Sequence, residues 1–174
     1  MHEKIKSIFG HAAIPVISNE HNLIHGGELF SAEVANVALG AAAKLYIEIN
    51  VPATHVVCLK KFKFYNGDDG IIELTEAPTL TTGAAVLAAL NRNRGSSKAY
   101  NSILKSNPTG ISGGLSLTKF YFKGTVQAGG LLEDSDWEWR LKLGTIYLLT
   151  LTNSGASAEQ AYLRADFYEH EIKE

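Results

Sequence analysis

Between residues 28 and 168 the chain returns repeatedly to a one-by-one alternation of apolar and polar side chains. A period of two sends successive side chains to opposite faces of a strand, so one face can be buried while the other meets water. Lys44 to Asn50 (KLYIEIN) sets Leu45, Ile47 and Ile49 on one face, and Pro52 ends the run. Trp137 to Leu143 (WEWRLKL) sets Trp137, Trp139, Leu141 and Leu143 against Glu138, Arg140 and Lys142. Further strand-like runs cover residues 28–34, 55–65, 71–76, 115–125, 146–153 and 161–168. In the second of these, Lys60, Lys61 and Lys63 interleave with Leu59, Phe62 and Phe64, a pattern that discourages edge-to-edge pairing. Asn66-Gly67-Asp68-Asp69-Gly70 lies between two runs and predicts a hairpin turn. Ala84 to Asn91 (AAVLAALN) has helix-favouring alanines, but its length and the alternation of Val86, Ala88 and Leu90 predict a buried strand. Such a series of strands without a βαβ rhythm predicts an all-β fold. The expected architecture is an antiparallel two-sheet sandwich, jelly-roll-like, with a short N-terminal arm.

At 174 residues the chain has room for one domain. The sandwich is assigned to residues 21–174 and the arm to residues 1–20. In the arm Ile5, Ile8 and Phe9 fall on one face of a short helical segment, and Pro15 with Ser18-Asn19-Glu20 breaks the pattern. The arm is expected to pack on its own domain, the alternative being a neighbouring subunit. Residues 92–114, rich in Asn, Ser, Gly and Arg, form the longest irregular segment. Long loops in compact domains are usually functional or mobile.

Composition narrows the function classes. The formal net charge of −2 offers no overall basic field for direct nucleic-acid binding. One cysteine, Cys58, cannot form an internal disulfide and suits a reducing cytoplasm. No run approaches the roughly 20 apolar residues of a membrane span. Met1 to Gly10 contains Lys4 and Lys6 but no long apolar stretch, so no secretory signal is expected.

The candidate chemistry is sparse. His21 and His25 in HNLIH could share a metal if they lay on a helix, with His55 as a more distant partner. The HExxH pattern fails, and no HxH pair of a cupin-type barrel occurs. His25 beside Gly26-Gly27 reads more simply as a turn residue. Asp68 and Asp69 are too few for a calcium loop, which needs more oxygens at defined spacing. Arg92 and Arg94 alternate with Asn91 and Asn93. Their guanidinium forks suit carboxylates or phosphates, and acidic side chains of the fold or of a partner subunit are the simpler match. Trp137 and Trp139 could stack a sugar, but their shared face favours core packing. No GxSxG elbow, P-loop or GxGxxG is present, and nothing marks Cys58 as a nucleophile. No catalytic residue, metal or cofactor is assigned.

One ordered set of motifs points further. HNLIHGGELF (21–30), His55, EAPTLTTG (76–83), NRNR (91–94), a later Gly-Gly pair, IYLLTLTN (146–153) and DFYE (166–169) follow one another along the chain. This string resembles the small jelly-roll virion proteins of tailed bacteriophages that are encoded near the major capsid protein. In that family NRN is more often followed by Ser than by Arg94. The resemblance implies a capsid-decorating or cement protein, a homotrimer partnered by the major capsid protein, made in the host cytoplasm and carried on the capsid surface. It implies no catalytic residues. The residues expected to touch a partner, chosen as arm and loop positions, are Ile5, Ile8, Phe9, Ile14, Val16, Asn66, Asp68, Asp69, Arg92 and Arg94. The competing classes are a receptor- or carbohydrate-binding virion module, which exposed tryptophans would favour, and a cupin-like metalloenzyme using His21, His25 and His55.

Overall fold

A computed structural model describes residues 18–83, 85–123 and 138–172. The arm residues Ile5, Ile8, Phe9, Ile14 and Val16, and also Trp137, lie outside them. Among the described residues one helix precedes the strands: α1 (Asn19–His25). The first four strands are β1 (Leu29–Leu39), β2 (Lys44–Asn50), β3 (His55–Asn66) and β4 (Gly70–Glu76). Five short ones follow: β5 (Thr79–Thr81), β6 (Ala85–Val86), β7 (Leu90–Asn91), β8 (Ile103–Ser106) and β9 (Thr109–Ser112). The chain returns through β10 (Leu115–Phe122), β11 (Trp139–Leu141), β12 (Ile146–Asn153) and β13 (Glu159–Glu171).

Two large sheets face each other. The first has the order β11-β3-β13-β1-β7 and the second β10-β4-β12-β2-β8-β6. Consecutive long strands alternate between sheets, and the chain then folds back on itself. As a result β1 pairs β13, β2 pairs β12, β3 pairs β11 and β4 pairs β10, all antiparallel. A two-stranded ribbon wrapped in this way is a jelly-roll sandwich, so the expected fold class is the observed one. β5 and β9 form a separate two-stranded sheet.

The alternation places the core as the sequence predicts. Leu45, Ile47 and Ile49 of β2, Ile72 and Leu74 of β4, and Tyr147, Leu149 and Leu151 of β12 fill one wall. Val57, Leu59, Phe62 and Phe64 of β3 and Leu163, Ala165 and Phe167 of β13 fill the other. The step from Leu59 to Phe62 skips two residues. Asp166 pairs with Lys61 and Phe167 with Leu59, so Lys60 is the extra residue of a β-bulge. The doubled lysine of the sequence marks that bulge, which keeps both flanking apolar groups inward. Trp139 is half-buried and packs against the core, as its alternation implies.

Ala84 lies outside the described residues, and residues 85–91 depart from the expected buried strand. They contribute two residues to the edge of the second sheet as β6 and two to the edge of the first as β7. Residues 87–89 bridge the sandwich between them. The alternation is real, but it separates a half-buried Leu87 and Ala89 from an exposed Val86, Ala88 and Leu90. The loop 92–114 likewise contains two short strands, β8 and β9.

One end of the sandwich is held by a buried pair of amides. Asn153 Nδ2 donates to the carbonyls of Leu39 and Ser157, both at 2.8 Å. Its Oδ1 accepts from Gly155 N (3.0 Å) and Asn66 Nδ2 (3.2 Å). Asn66 Nδ2 also donates to the carbonyls of Asp68 and Asp69. Three turns distant in sequence thus converge on two side chains that water does not reach. Removing such a group strands several buried partners at once, so Asn153→Ala should lower unfolding free energy by about 3 kcal/mol. Equilibrium urea denaturation measures this, and an unchanged midpoint would show that the turns hold without the amide.

Candidate partner-binding surface

The surface next to α1 explains the NRNR motif. Ser18 caps the helix in extended conformation, its Oγ accepting from His21 N at 3.2 Å. Gly26 and Gly27 end it, and Gly27 sits at φ +67°, where a Cβ would also lie 2.1 Å from Ser96 Oγ. The loop then staples this helix. Asn91 Nδ2 donates to Gly27 O at 2.8 Å and Asn93 Nδ2 to His25 O at 3.0 Å. Arg92 Nη1 donates to Glu20 Oε1 at 2.6 Å, and Lys61 Nζ reaches Glu20 Oε2 at 2.9 Å. Arg92 also lies 3.9 Å from Asp166 Oδ2. The fully buried Asp166 accepts Ser31 Oγ (2.5 Å) and Arg164 Nε (2.8 Å) through Oδ1. Arg92 therefore serves the fold. Arg94 is exposed and makes no side-chain hydrogen bond or ion pair among the described residues.

The Asn66–Gly70 turn also divides. Asn66 is buried and organises the turn from within, so it is removed from the set of partner contacts. Asp68 Oδ1 accepts Asp69 N at 2.7 Å, and its carboxylate fills the space where Gly155 has no side chain. Asp68 and Asp69 are half-exposed.

Carboxylates hold the remaining loops to the sandwich. Glu48, on β2, is fully buried. It accepts Thr82 Oγ1 at 2.5 Å, Gly83 N at 2.8 Å and Asn50 Nδ2 at 2.8 Å. Burial works against its ionisation, but those three bonds and the nearby Lys105 charge outweigh burial and hold the carboxyl below its ordinary range. Gly83 admits no side chain, because a Cβ there would stand 2.1 Å from Ser106 O. Glu169 accepts Asn101 N (2.6 Å), Ser102 N (2.9 Å) and Ser102 Oγ (2.5 Å). Tyr100 accepts Ala89 N at 3.1 Å, and its ring packs edge-on against Phe30 and Phe167.

Braced in this way, the bridge turns an apolar side outward. Val86 is 72 % exposed, Leu90 56 % and the neighbouring Ile103 54 %. The strand edges β6 and β7 end the two sheets at the same place. Exposed apolar groups beside open strand edges are the chemistry of a protein–protein contact. The sequence did carry this stripe, as Val86, Ala88 and Leu90, but read it as facing inward.

The catalytic and metal candidates are not assembled. His21 and His25 do lie on a helix, with ring centroids 4.3 Å apart, and both are exposed. His55 instead lies on β3, with Nδ1 3.0 Å from Thr54 Oγ1. No group of three or more His, Cys, Asp or Glu among the described residues could hold a metal ion. The Cys58 thiol is buried, and burial pushes its pKa up, away from thiolate chemistry. No helix among the described residues is long and apolar enough to cross a membrane. Comparison with protein-family models, curated proteins and solved structures finds no match to this chain.

Glu20 gives a test of the helix staple. Burial opposes its ionisation, but the bonds from Lys61 and Arg92 prevail and lower its pKa. A carboxyl depressed in the folded state stabilises the fold above its unfolded pKa. That contribution is lost as pH falls through the lower folded value. Glu20→Gln should therefore cost about 1 kcal/mol at neutral pH and flatten this part of the acid-side decline. Urea midpoints measured across the acid range for both proteins check this, and superimposable curves would deny Glu20 the role.

Proposed function

We propose that the protein is a structural virion component that binds the outer surface of an assembled phage capsid as a homotrimer and stabilises it. The observation that carries this reading is the apolar stripe Val86–Leu90–Ile103, displayed on a bridge that the buried Glu48 carboxylate and Tyr100 hold in place. The motif order from HNLIHGGELF to DFYE supports the same reading. The occupant of the stripe is the major capsid protein. Arg94, exposed and close to it in sequence, supplies a charged rim to an apolar centre, the usual layout of a protein interface.

The mechanism is one of linkage. A ligand with affinity for the assembled shell, and none for its free subunits, stabilises the shell by mass action. A trimer that engages several capsid subunits gains effective concentration, so no single contact needs to be strong. Because the bridge is fixed before binding, little ordering entropy is lost on contact. The virion is the place of action, and the host cytoplasm the place of synthesis.

The reading predicts that purified protein co-sediments with capsids lacking it and raises their heat resistance. Val86→Asp combined with Leu90→Asp should weaken attachment by at least about tenfold, as charges replace buried apolar contacts. The urea midpoint should hold, since both side chains are exposed. Absence of co-sedimentation and of thermal protection would overturn the assignment. Full attachment by the double variant would move the contact elsewhere on the protein.

A further inference from the structure

The outer face of the second sheet carries an open groove of about 460 Å³, bounded by β2, β4, β12 and the Pro108–Gly114 segment. That volume lies within the range of ordinary small-ligand sites, roughly 300–1,000 Å³. The segment is held close to the sheet: a Cβ on Gly114 would stand 2.7 Å from Thr75 Cγ2 and 2.9 Å from Glu76 O. Gly110, Gly113 and Gly114 all have positive φ, so the rim depends on conformations that side-chain-bearing residues rarely adopt. This proximity also explains why Leu148 and Thr150, on the outward side of β12, are 2 % and 7 % exposed.

The lining has a consistent chemistry. Tyr46, Thr150 and Glu73 are register partners in one row across β2, β12 and β4, and Thr75 stands opposite Leu148 in the next. Lys44, Tyr46, Thr75 and Thr150 all border the groove, and none has a side-chain hydrogen-bond or ion-pair partner among the described residues. Glu73, by contrast, is already used: Oε1 accepts Ser116 Oγ at 2.7 Å and Oε2 lies 3.4 Å from Lys119 Nζ. Thr109 and Ser112 also border the groove without a side-chain partner, so the unspent groups are five hydroxyls and one ammonium. Hydroxyls both donate and accept, as a polyol requires. Burial raises the Tyr46 phenol pKa, so it stays a neutral donor and acceptor. Lys44 is the charge left without a counterion, which favours a carboxylate on the ligand.

We propose that this groove binds an acidic saccharide, with sugar hydroxyls on Tyr46, Thr75 and Thr150 and the sugar carboxylate on Lys44. The site is independent of the apolar bridge and adds a binding activity to a capsid-surface protein.

Titration of the full chain with trigalacturonate, followed by calorimetry and by amide NMR shifts, tests the proposal. Saturable binding is expected, with shifts centred on residues 44–46, 73–75 and 108–114. Lys44→Ala should weaken it about tenfold and Thr150→Val about fivefold, the loss expected of a charge-assisted and a neutral hydrogen bond respectively. Maltotriose, the uncharged counterpart, should bind more weakly, and acetate should not reproduce the shifts. Val86→Asp/Leu90→Asp should bind trigalacturonate as the parent does, which separates this site from the capsid contact. Four results would each overturn the proposal: no saturation at millimolar trigalacturonate, shifts elsewhere, equal affinity for acetate, or tighter binding of maltotriose. Unfolding midpoints of the variants confirm that any loss is local.

Discussion

The carboxylate of Glu48 is the constraint on which both exposed surfaces depend. It sits on the outward side of β2 yet is cut off from water. An ion in that position is tolerated only where donors replace its hydration. Thr82, Gly83 and Asn50 supply them. The same bonds fix the start of the segment that becomes the apolar bridge, and the end of the one that pairs as β5 with β9. One side of this clamp therefore holds the stripe of Val86 and Leu90, and the other holds the segment that borders the groove. The close fit of Gly83 against Ser106 leaves the clamp no room to shift.

The other loops follow the same economy. Glu20 reaches Lys61 and Arg92, and Glu169 takes two backbone amides and a hydroxyl of the long loop. Asn66 and Asn153 do by neutral bonds at one end of the sandwich what the carboxylates do around the edge. Polar groups of a jelly roll are thus spent largely on holding irregular chain against regular sheet. Arg94 and the unpartnered side chains of the groove are not used in this way.

The strands were legible because a period of two survives any partner: Leu45, Ile47 and Ile49 face inward whichever strand lies beside them. The bulge at Lys60 shows only in the pairing of β3 with β13. Other features depend on contacts that local pattern cannot contain. The alternation of β2 sends Glu48 to the face opposite Ile47 and Ile49, and its burial there comes with partners tens of positions away, Thr82 and Gly83. Residues 84–91 alternate, but an alternating run does not reveal its direction or that part of it bridges two sheet edges. Seven residues are too few for α1 to show a helical period, although Ser18, Glu20 and the Gly26-Gly27 pair are its start and stop signals. The groove was illegible altogether. Its lining gathers β2, β4, β10, β12 and one loop, and no short motif spans them.

The position of β13 has a consequence for how the protein comes into being. The last strand lies between β3 and β1 and pairs with both along most of its length. While the chain is still emerging from the ribosome, those two strands have no neighbour between them, and the apolar side of the first sheet stays uncovered. Pairing of this kind joins distant parts of the chain and is slow. A nascent molecule therefore passes through a sticky, half-made state until residues near 171 are released. Without β13, β3 and β1 lack the strand that joins them in one sheet.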